Sequence, residues 1–368
     1  MKPKILFILH LPPPIHGAAM VGKSIQESSK ILGSFDTDFI NLSTSGKLDE
    51  IGKGGFRKIV IFLRLQQKVI KIIITKKYDL YYMTLTSSGA GFYKDFLVLV
   101  IFKLFRKKVI FHFHNKGVSK NQDKKIQNLL YKFTFRNTKA ILLSQNLYQD
   151  IQKYVKPEDV FICPNGIPEI KTISAIIKKD TSKVCKLLFL SNMMEEKGVY
   201  ILLEACNILK VKNINFECHF IGAWSDITEI DFKTKVEQLD LSESVFCHGK
   251  KYNEEKDAYF LNSDIFVFPT FYSLETFGLV NLEAMQYSLP IISTPEGGIP
   301  DIVIDGETGF LVPQKDALAL ADKIEFLISN PELRRKMGAS GRKRYEEHFT
   351  LEKFENRMVE ILKQAIEA

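Results

Sequence analysis

The stretch DIFVFPTFYSLETFGLVNLEAMQYSLPIISTP, residues 264–295, decides how this chain folds. It begins with an apolar run at 264–270, rich in β-favouring residues and closed by Pro269 and Thr270. A short loop follows, then the helical pattern GLVNLEAMQY at 278–287, then a second apolar run, PIISTP at 290–295. Two short strands joined by a helix form a β-α-β unit, whose strands lie parallel in a sheet covered by helices. Glu275 stands in the loop and Glu283 inside the helix, eight positions apart around Phe277 and Gly278. Taken alone, such a pair reads as a helix cap and a solvated surface residue, so the neighbours decide its meaning.

The same alternation runs the length of the chain. Strand-like runs at 4–9, 38–43, 80–85, 108–114, 140–144 and 160–165 are followed by a second series at 186–191, 216–222, 245–249, 264–270 and 290–295. Helical patterns fill most of the gaps, and the two series part near NGIPEIKTISAIIKKDTSK, 165–183. A length of 368 residues exceeds what one ordinary core supports. The expected fold is therefore α/β, with two doubly wound Rossmann-like domains in series. These are residues 1–165 and 166–349, the amphipathic segment 350–368 returning to pack on the first. Ligands of such sheets bind where loops leave the carboxyl ends of the strands, which places the expected site in a cleft between the domains.

Composition narrows the class. Hydrophobic residues at 45% and charged residues at 26% describe a globular protein rather than a disordered one. The cysteines, Cys163, Cys185, Cys206, Cys218 and Cys247, are odd in number, form no C-x-x-C and sit mostly inside strand runs. Reduced, buried thiols in the cytoplasm fit that pattern. The longest apolar run, FLVLVIF at 96–102, is too short to span a bilayer, and MKPK leads into the first strand without the apolar segment of a secretory signal. Charge is uneven: residues 1–165 hold 27 Lys and Arg against 11 Asp and Glu, whereas the remainder holds 24 against 32.

Within this frame the loop and helix of 271–287 acquire a chemistry. A helix N-terminus presents free N–H groups and the positive end of the dipole, and a glycine there admits a phosphate closely. Glu283, about a turn further in, reaches a hydroxyl beside that phosphate, as a carboxylate gripping a ribose does. Glu275 lies on the other side, where the group attached to the phosphate would be. A nucleotide sugar satisfies all three positions.

These residues resemble those of the group 1, retaining, nucleotide-sugar glycosyltransferases of GT-B architecture, of the bacterial surface-polysaccharide type. Their E-x7-E motif matches Glu275 through Glu283, and further likeness lies in PPPIHGAAMVGKSI, FHFHN, CPNGI, SNMMEEKG and TPEGGIPDIVIDGETGFLV. The resemblance implies that Glu283 binds ribose, that Glu275 binds the donor sugar, and that backbone groups of Phe277, Gly278 and Leu279 hold sugar and phosphate. It further implies that Lys197 neutralises the diphosphate, that Gly17 admits the phosphates to the first-domain loop, and that Lys250 lies where the base is read. His114 matches the histidine near the donor sugar and joins Glu275 as a catalytic residue. Asn192 occupies a donor-binding position where the family usually carries arginine, which leaves the diphosphate one positive charge short. Glu296 and Gly297 are near enough in motif order to line the same site, while His16 and Asn165 read better as turn residues.

No metal or cofactor is expected. His112 and His114 alternate on one strand and point the same way, but no third ligand accompanies them at a convincing spacing. The DTD triplet, Asp36 to Asp38, looks like the metal-binding pair of the other large glycosyltransferase architecture, yet reads as a turn here. The implied reaction moves a hexose from a nucleoside-diphosphate sugar, by likeness a UDP sugar, to a saccharide or polyprenyl-diphosphate-linked acceptor during lipopolysaccharide or capsule assembly. A nucleotide-sugar epimerase or a phosphorylase of the same architecture is the alternative. No G-x-G-x-x-G follows a first strand, which argues against a nicotinamide oxidoreductase. The basic stretches lack aromatic stacking motifs, so no nucleic-acid partner is expected. In FRKIVIFLRLQQKVIKIIITKK, 56–77, Arg57, Arg64, Lys68 and Lys71 fall on one side of a helix, and KLFRKK follows at 103–108. Both suit an anionic membrane surface, which implies a cytoplasmic protein peripheral on the inner face of the cytoplasmic membrane.

Overall fold

The structure, a computed structural model, describes residues 2–13, 17–43, 56–170 and 184–367, without the side chains of 56–59. The chain divides into two compact units, Met1–Gly166 with Leu351–Ala368, and Ile167–Thr350.

The first unit runs β1 (Lys4–Leu9), α1 (Gly17–Glu27), α2 (Ser29–Ser34), β2 (Asp36–Asn41), α3 (Phe56–Thr75), β3 (Leu80–Thr84), α4 (Gly89–Leu104), β4 (Val109–His112), α5 (Val118–Asn121), α6 (Lys125–Phe135), β5 (Lys139–Leu142), α7 (Tyr148–Ile151) and β6 (Val160–Ile162). Its six strands are parallel, in the order β2-β1-β3-β4-β5-β6. Strands covered on both faces read as unbroken apolar runs rather than alternations, and every residue of β3 is buried.

The second unit runs β7 (Cys185–Leu190), α8 (Val199–Val211), β8 (Phe216–Ile221), α9 (Glu229–Gln238), β9 (Val245–Cys247), α10 (Asn253–Leu261), β10 (Ile265–Phe268), α11 (Leu279–Gln286), β11 (Ile291–Ser293), α12 (Ile299–Ile302), β12 (Gly309–Leu311), α13 (Ala317–Ser329) and α14 (Pro331–His348). Its sheet, also parallel, has the order β12-β11-β10-β7-β8-β9.

The last helix, α15 (Leu351–Glu367), belongs to the first unit. Phe354, Met358, Ile361, Leu362 and Ala365 recur at helical spacing and enter the core formed by Ile5, Phe7, Val21, Ile25 and Ile31. Each large apolar side chain so buried contributes roughly 1.5–3 kcal/mol. Lys30 of α2 closes the edge of this contact on Glu352 at 2.7 Å.

Two sequence expectations are corrected. Asp36 to Asp38 form no turn but the start of β2, where Asp36 pairs with Lys4 at 3.0 Å and Asp38 with Lys76 at 2.8 Å. β2 lies at the edge of its sheet, where such charges remain solvated. The GETGFLV segment, which lies outside the strand-like runs expected from the sequence, supplies β12. Its Gly309 lies so close to β11 that a Cβ there would stand 1.9 Å from the Ile291 carbonyl oxygen, which only glycine tolerates.

Candidate functional site

Strand order in the second unit reverses between β7 and β10. Loops leaving these neighbours diverge, and the gap at such a switch point is where an open α/β sheet accepts a ligand. Lys197 follows β7 and Glu275 follows β10, and they meet across it: Lys197 Nζ lies 2.6 Å from Glu275 Oε2, each side chain only 13% exposed. Lys197 also stands over the Tyr272 ring at 4.4 Å from its centroid, a second stabiliser of its charge.

Local sequence dictates this meeting. Gly198 has φ +87°, and a Cβ on it would stand 2.2 Å from the Pro269 carbonyl oxygen, so the residue after Lys197 must be glycine for the loops to touch. The Phe271 N–H donates to the Glu196 carbonyl at 2.8 Å and fixes the same contact. Gly278, with φ +71°, turns the chain into α11, and its N–H donates to Glu275 Oε1 at 3.2 Å. Leu279 is the first residue of α11, while Phe277 is buried against Phe349. On the far side, Gly297 at φ +57° would place a Cβ 2.4 Å from the Glu275 carbonyl oxygen, and the Gly298 N–H donates to that of Thr276 at 2.8 Å. The Glu296–Gly297 turn thus abuts the loop that carries Glu275.

Glu283 lies in the second turn of α11 and is already engaged: Lys256 Nζ of α10 stands 2.9 Å from its Oε2, both side chains about a quarter exposed. Asn281, in the first turn of the same helix, is fully buried, and neither polar atom of its side-chain amide has a hydrogen-bond partner among the described residues.

The profile described as Glycosyl transferases group 1 matches residues 170–344, a span that holds Lys197, Glu275 and Glu283. Residues 170–344 thus carry the sequence pattern of that family. The chain is 33% identical over 162 residues to the capsular polysaccharide biosynthesis glycosyltransferase CapM of Staphylococcus aureus, 44% of this chain and 41% of that protein. It is 26% identical over 227 residues to the putative colanic acid biosynthesis glycosyltransferase WcaL of Salmonella typhimurium, 60% of this chain and 55% of that one. The chain thus spans about half the length of the curated relatives it matches. Among solved structures, a glycosyltransferase from Rickettsia africae aligns with a TM-score of 0.76 at 19% identity over 99% of both chains. HepE of Anabaena, in complex with UDP, aligns with a TM-score of 0.75 at 15% identity over 99% of this chain and 100% of that one. These likenesses show the fold, two parallel α/β sheets of the GT-B type.

Elsewhere in the group 1 domain, the loops beside the Lys197–Glu275 pair carry the remaining expected residues. Asn192 is exposed after β7, and a Cβ on Gly222 would stand 1.6 Å from the neighbouring Ser191 oxygen. Gly222 in turn donates its N–H to the Gly249 carbonyl at 3.0 Å, linking the loops after β8 and β9. Lys250 follows, exposed, with its Nζ 4.7 Å from the Tyr252 ring centroid. Next to it, His248 Nε2 lies 2.9 Å from His219 Nδ1, and His219 Nε2 lies 3.2 Å from Glu217 Oε2. Burial holds both imidazoles below their usual pKa, against the opposing pull of Glu217 on His219.

Gly17 and His114 fall in the first unit. Gly17 opens α1, and His114 lies just beyond β4 with its ring 4.2 Å from that of His112. His112 is buried with its Nδ1 2.6 Å from the Tyr82 hydroxyl, and burial holds its pKa well below the usual value. Among the described residues no group of three or more His, Cys, Asp or Glu is placed to hold a metal. Asn165 is buried, and His16 lies outside the described residues. Lys256 and Asn281 are the residues that sequence reasoning missed. Lys256 lies 27 positions from its partner in an ordinary charged helix, whereas Asn281, an amide in the first turn of an apolar helix, left a faint signal.

Proposed function

We propose that this chain is a retaining hexosyltransferase that uses a nucleoside-diphosphate sugar, specifically a UDP sugar. Its acceptor is a saccharide or polyprenyl-diphosphate-linked saccharide in the assembly of a cell-surface polysaccharide such as capsule or lipopolysaccharide. It works on the cytoplasmic side, peripheral to an anionic membrane. The observation that carries this reading is the Lys197–Glu275 pair, 2.6 Å apart at the sheet's switch point, beside the helix whose second turn holds Glu283. The names of the relatives from Staphylococcus aureus and Salmonella typhimurium, and the UDP complex of the Anabaena structure, support the substrate class.

In this reading Glu283 accepts hydrogen bonds from the ribose, Lys197 and the first-turn N–H groups of α11 hold the diphosphate, and Glu275 holds the sugar. Gly17, Asn192 and Lys250 complete the donor contacts, and His114 is the first unit's residue assigned to the donor sugar. As the acceptor hydroxyl bonds to the anomeric carbon, the carbon–phosphate oxygen bond breaks on the same face, and the hydroxyl proton passes to the departing phosphate. Charge grows on that phosphate where a cation and oriented N–H groups already stand, so little reorganisation is needed. The reading requires no metal or cofactor.

The test is calorimetric titration with nucleoside diphosphates, followed by NMR of the anomeric configuration of any product. Binding of one nucleoside diphosphate that Glu283→Ala abolishes, and a product retaining the donor's configuration, are expected. An inverted product, or a donor sugar returned epimerised on its nucleotide, overturns the assignment.

A further inference from the structure

The sheet of the first unit separates two helical layers of different charge. Right-handed crossovers put α1 and α2 on one face and α3, α4 and α6 on the other, because the strand order steps first one way from β1 and then back. The second layer is continuous. α3 lies against α4, and α4 packs on α6 through Phe92 on Tyr131 at 4.9 Å and Phe96 on Phe133 at 5.6 Å. Lys103, at the end of α4, donates to the Arg136 carbonyl at the end of α6.

Its outer side is apolar and basic at once. In α3 the stripe Leu65, Val69 and Ile73 is buried, so Arg64, Lys68 and Lys71 face solvent together with Leu63 and Ile74. The Arg57 side chain lies outside the described residues. α4 exposes Leu97 and Leu104, and α6 exposes Ile126 at 72% and Leu129 at 68%, flanked by Lys132. The three helices contain one acidic residue, Asp95, and it is fully buried. On the opposite layer the charges balance: α15 carries Glu352, Glu355, Glu360 and Glu367 against Lys353, Arg357 and Lys363.

We infer that the outer surface of the α3–α4–α6 layer is the face on which this chain lies against an anionic lipid bilayer. Aliphatic side chains at successive turns enter the boundary between headgroups and acyl chains, while lysines and arginines among them reach lipid phosphates. Neither a nucleic-acid backbone nor an acidic protein needs so many exposed leucines and isoleucines. A second copy of the chain would bring two surfaces of the same sign together in a self-complementary contact, which their charge opposes. Among the described residues no helix is long and apolar enough to cross a membrane, so attachment by this face is peripheral. The inference deepens the membrane element of the function proposed above and rests on that reading only there.

The test is flotation with phosphatidylcholine vesicles, with and without phosphatidylglycerol, at roughly 0.1 M salt. The full chain floats with the anionic vesicles and stays behind with neutral ones. Lys68→Glu/Lys71→Glu lowers the bound fraction about tenfold or more, since each basic residue near the surface contributes roughly 1 kcal/mol, and Ile126→Ser/Leu129→Ser does so by withdrawing two aliphatic side chains from the acyl boundary. Both variants alter only exposed positions, and an unchanged melting temperature verifies that they fold. Equal binding to neutral vesicles, no binding, or no effect of either double substitution overturns the inference. So does a dimer in sedimentation velocity that Ile126→Ser/Leu129→Ser dissociates. Flotation without binding of any nucleoside diphosphate sinks the proposed transfer and leaves this face standing; the reverse result does the opposite.

Discussion

Replacing Glu275 by Gln should tighten nucleoside diphosphate binding while stopping transfer. Lys197 is committed to Glu275 at 2.6 Å, with both side chains 13% exposed. A charge-assisted hydrogen bond so placed contributes roughly 1.5–3 kcal/mol, against about 0.5–1.5 kcal/mol for a bond between neutral groups. A diphosphate that takes Lys197 must displace the carboxylate or share the cation with it. Glutamine keeps the shape and gives up the charge, so the work of displacement falls by about 1–1.5 kcal/mol, close to a tenfold lower Kd for UDP. The fold loses the same amount of stability, and a domain of this size shifts its melting temperature by about 2–4 °C per kcal/mol. Transfer falls because the donor sugar loses its carboxylate. Calorimetry on wild type and variant, with a thermal melt of each, gives all the numbers. Wild-type binding that weakens or stays level in the variant would refute the role of Lys197 as a cation shared between Glu275 and the diphosphate.

Other perturbations follow from the same geometry. Lys256→Met removes the 2.9 Å partner of Glu283 and frees that carboxylate for the ribose, so UDP and UMP should both bind up to about tenfold tighter, with Lys256→Arg close to wild type; calorimetry that finds UMP unaffected removes Lys256 from the ribose site. Gly198→Ala must bring a Cβ 2.2 Å from the Pro269 carbonyl oxygen at φ +87°, so chemical denaturation should register a loss of at least about 2 kcal/mol. His112 is buried and held neutral, so below about pH 6.5 the unfolded chain takes up a proton that the folded chain refuses. Its contribution is complete above that pH and is lost towards the depressed folded value at up to about 1.4 kcal/mol per pH unit, a slope that His112→Phe should reduce in denaturation curves measured from pH 7 to pH 5.

The fold was legible because both sheets are parallel and covered on both faces. Runs such as LYYMT and IFVF carry their burial in composition alone, and the helices between them keep the 3.6-residue period. Short or charged strands escaped this logic. β12 has three residues and begins with glycine, and β2 opens on an aspartate that an edge tolerates. The site was legible to the extent that its parts are local. Glu275, Gly278 and Glu283 lie within one loop and helix, so their chemistry follows from spacing. What spacing does not carry is which charge faces which. Lys197 meets Glu275 across 78 positions and Lys256 meets Glu283 across 27, and both contacts depend on strand order. In the second unit both carboxylates therefore stand in ion pairs, which a reading of the motif as separate ligand contacts does not contain. Ion pairing of this kind keeps partly buried charges from standing unpaired before the donor arrives, which would otherwise cost several kcal/mol. In the proposed reading the donor must exchange partners with Lys197 and Lys256, so its affinity would depend on the difference between two sets of charge-assisted bonds. On that proposal the loss of a carboxylate should act in opposite directions, tighter for the diphosphate at Glu275 and weaker for the ribose at Glu283.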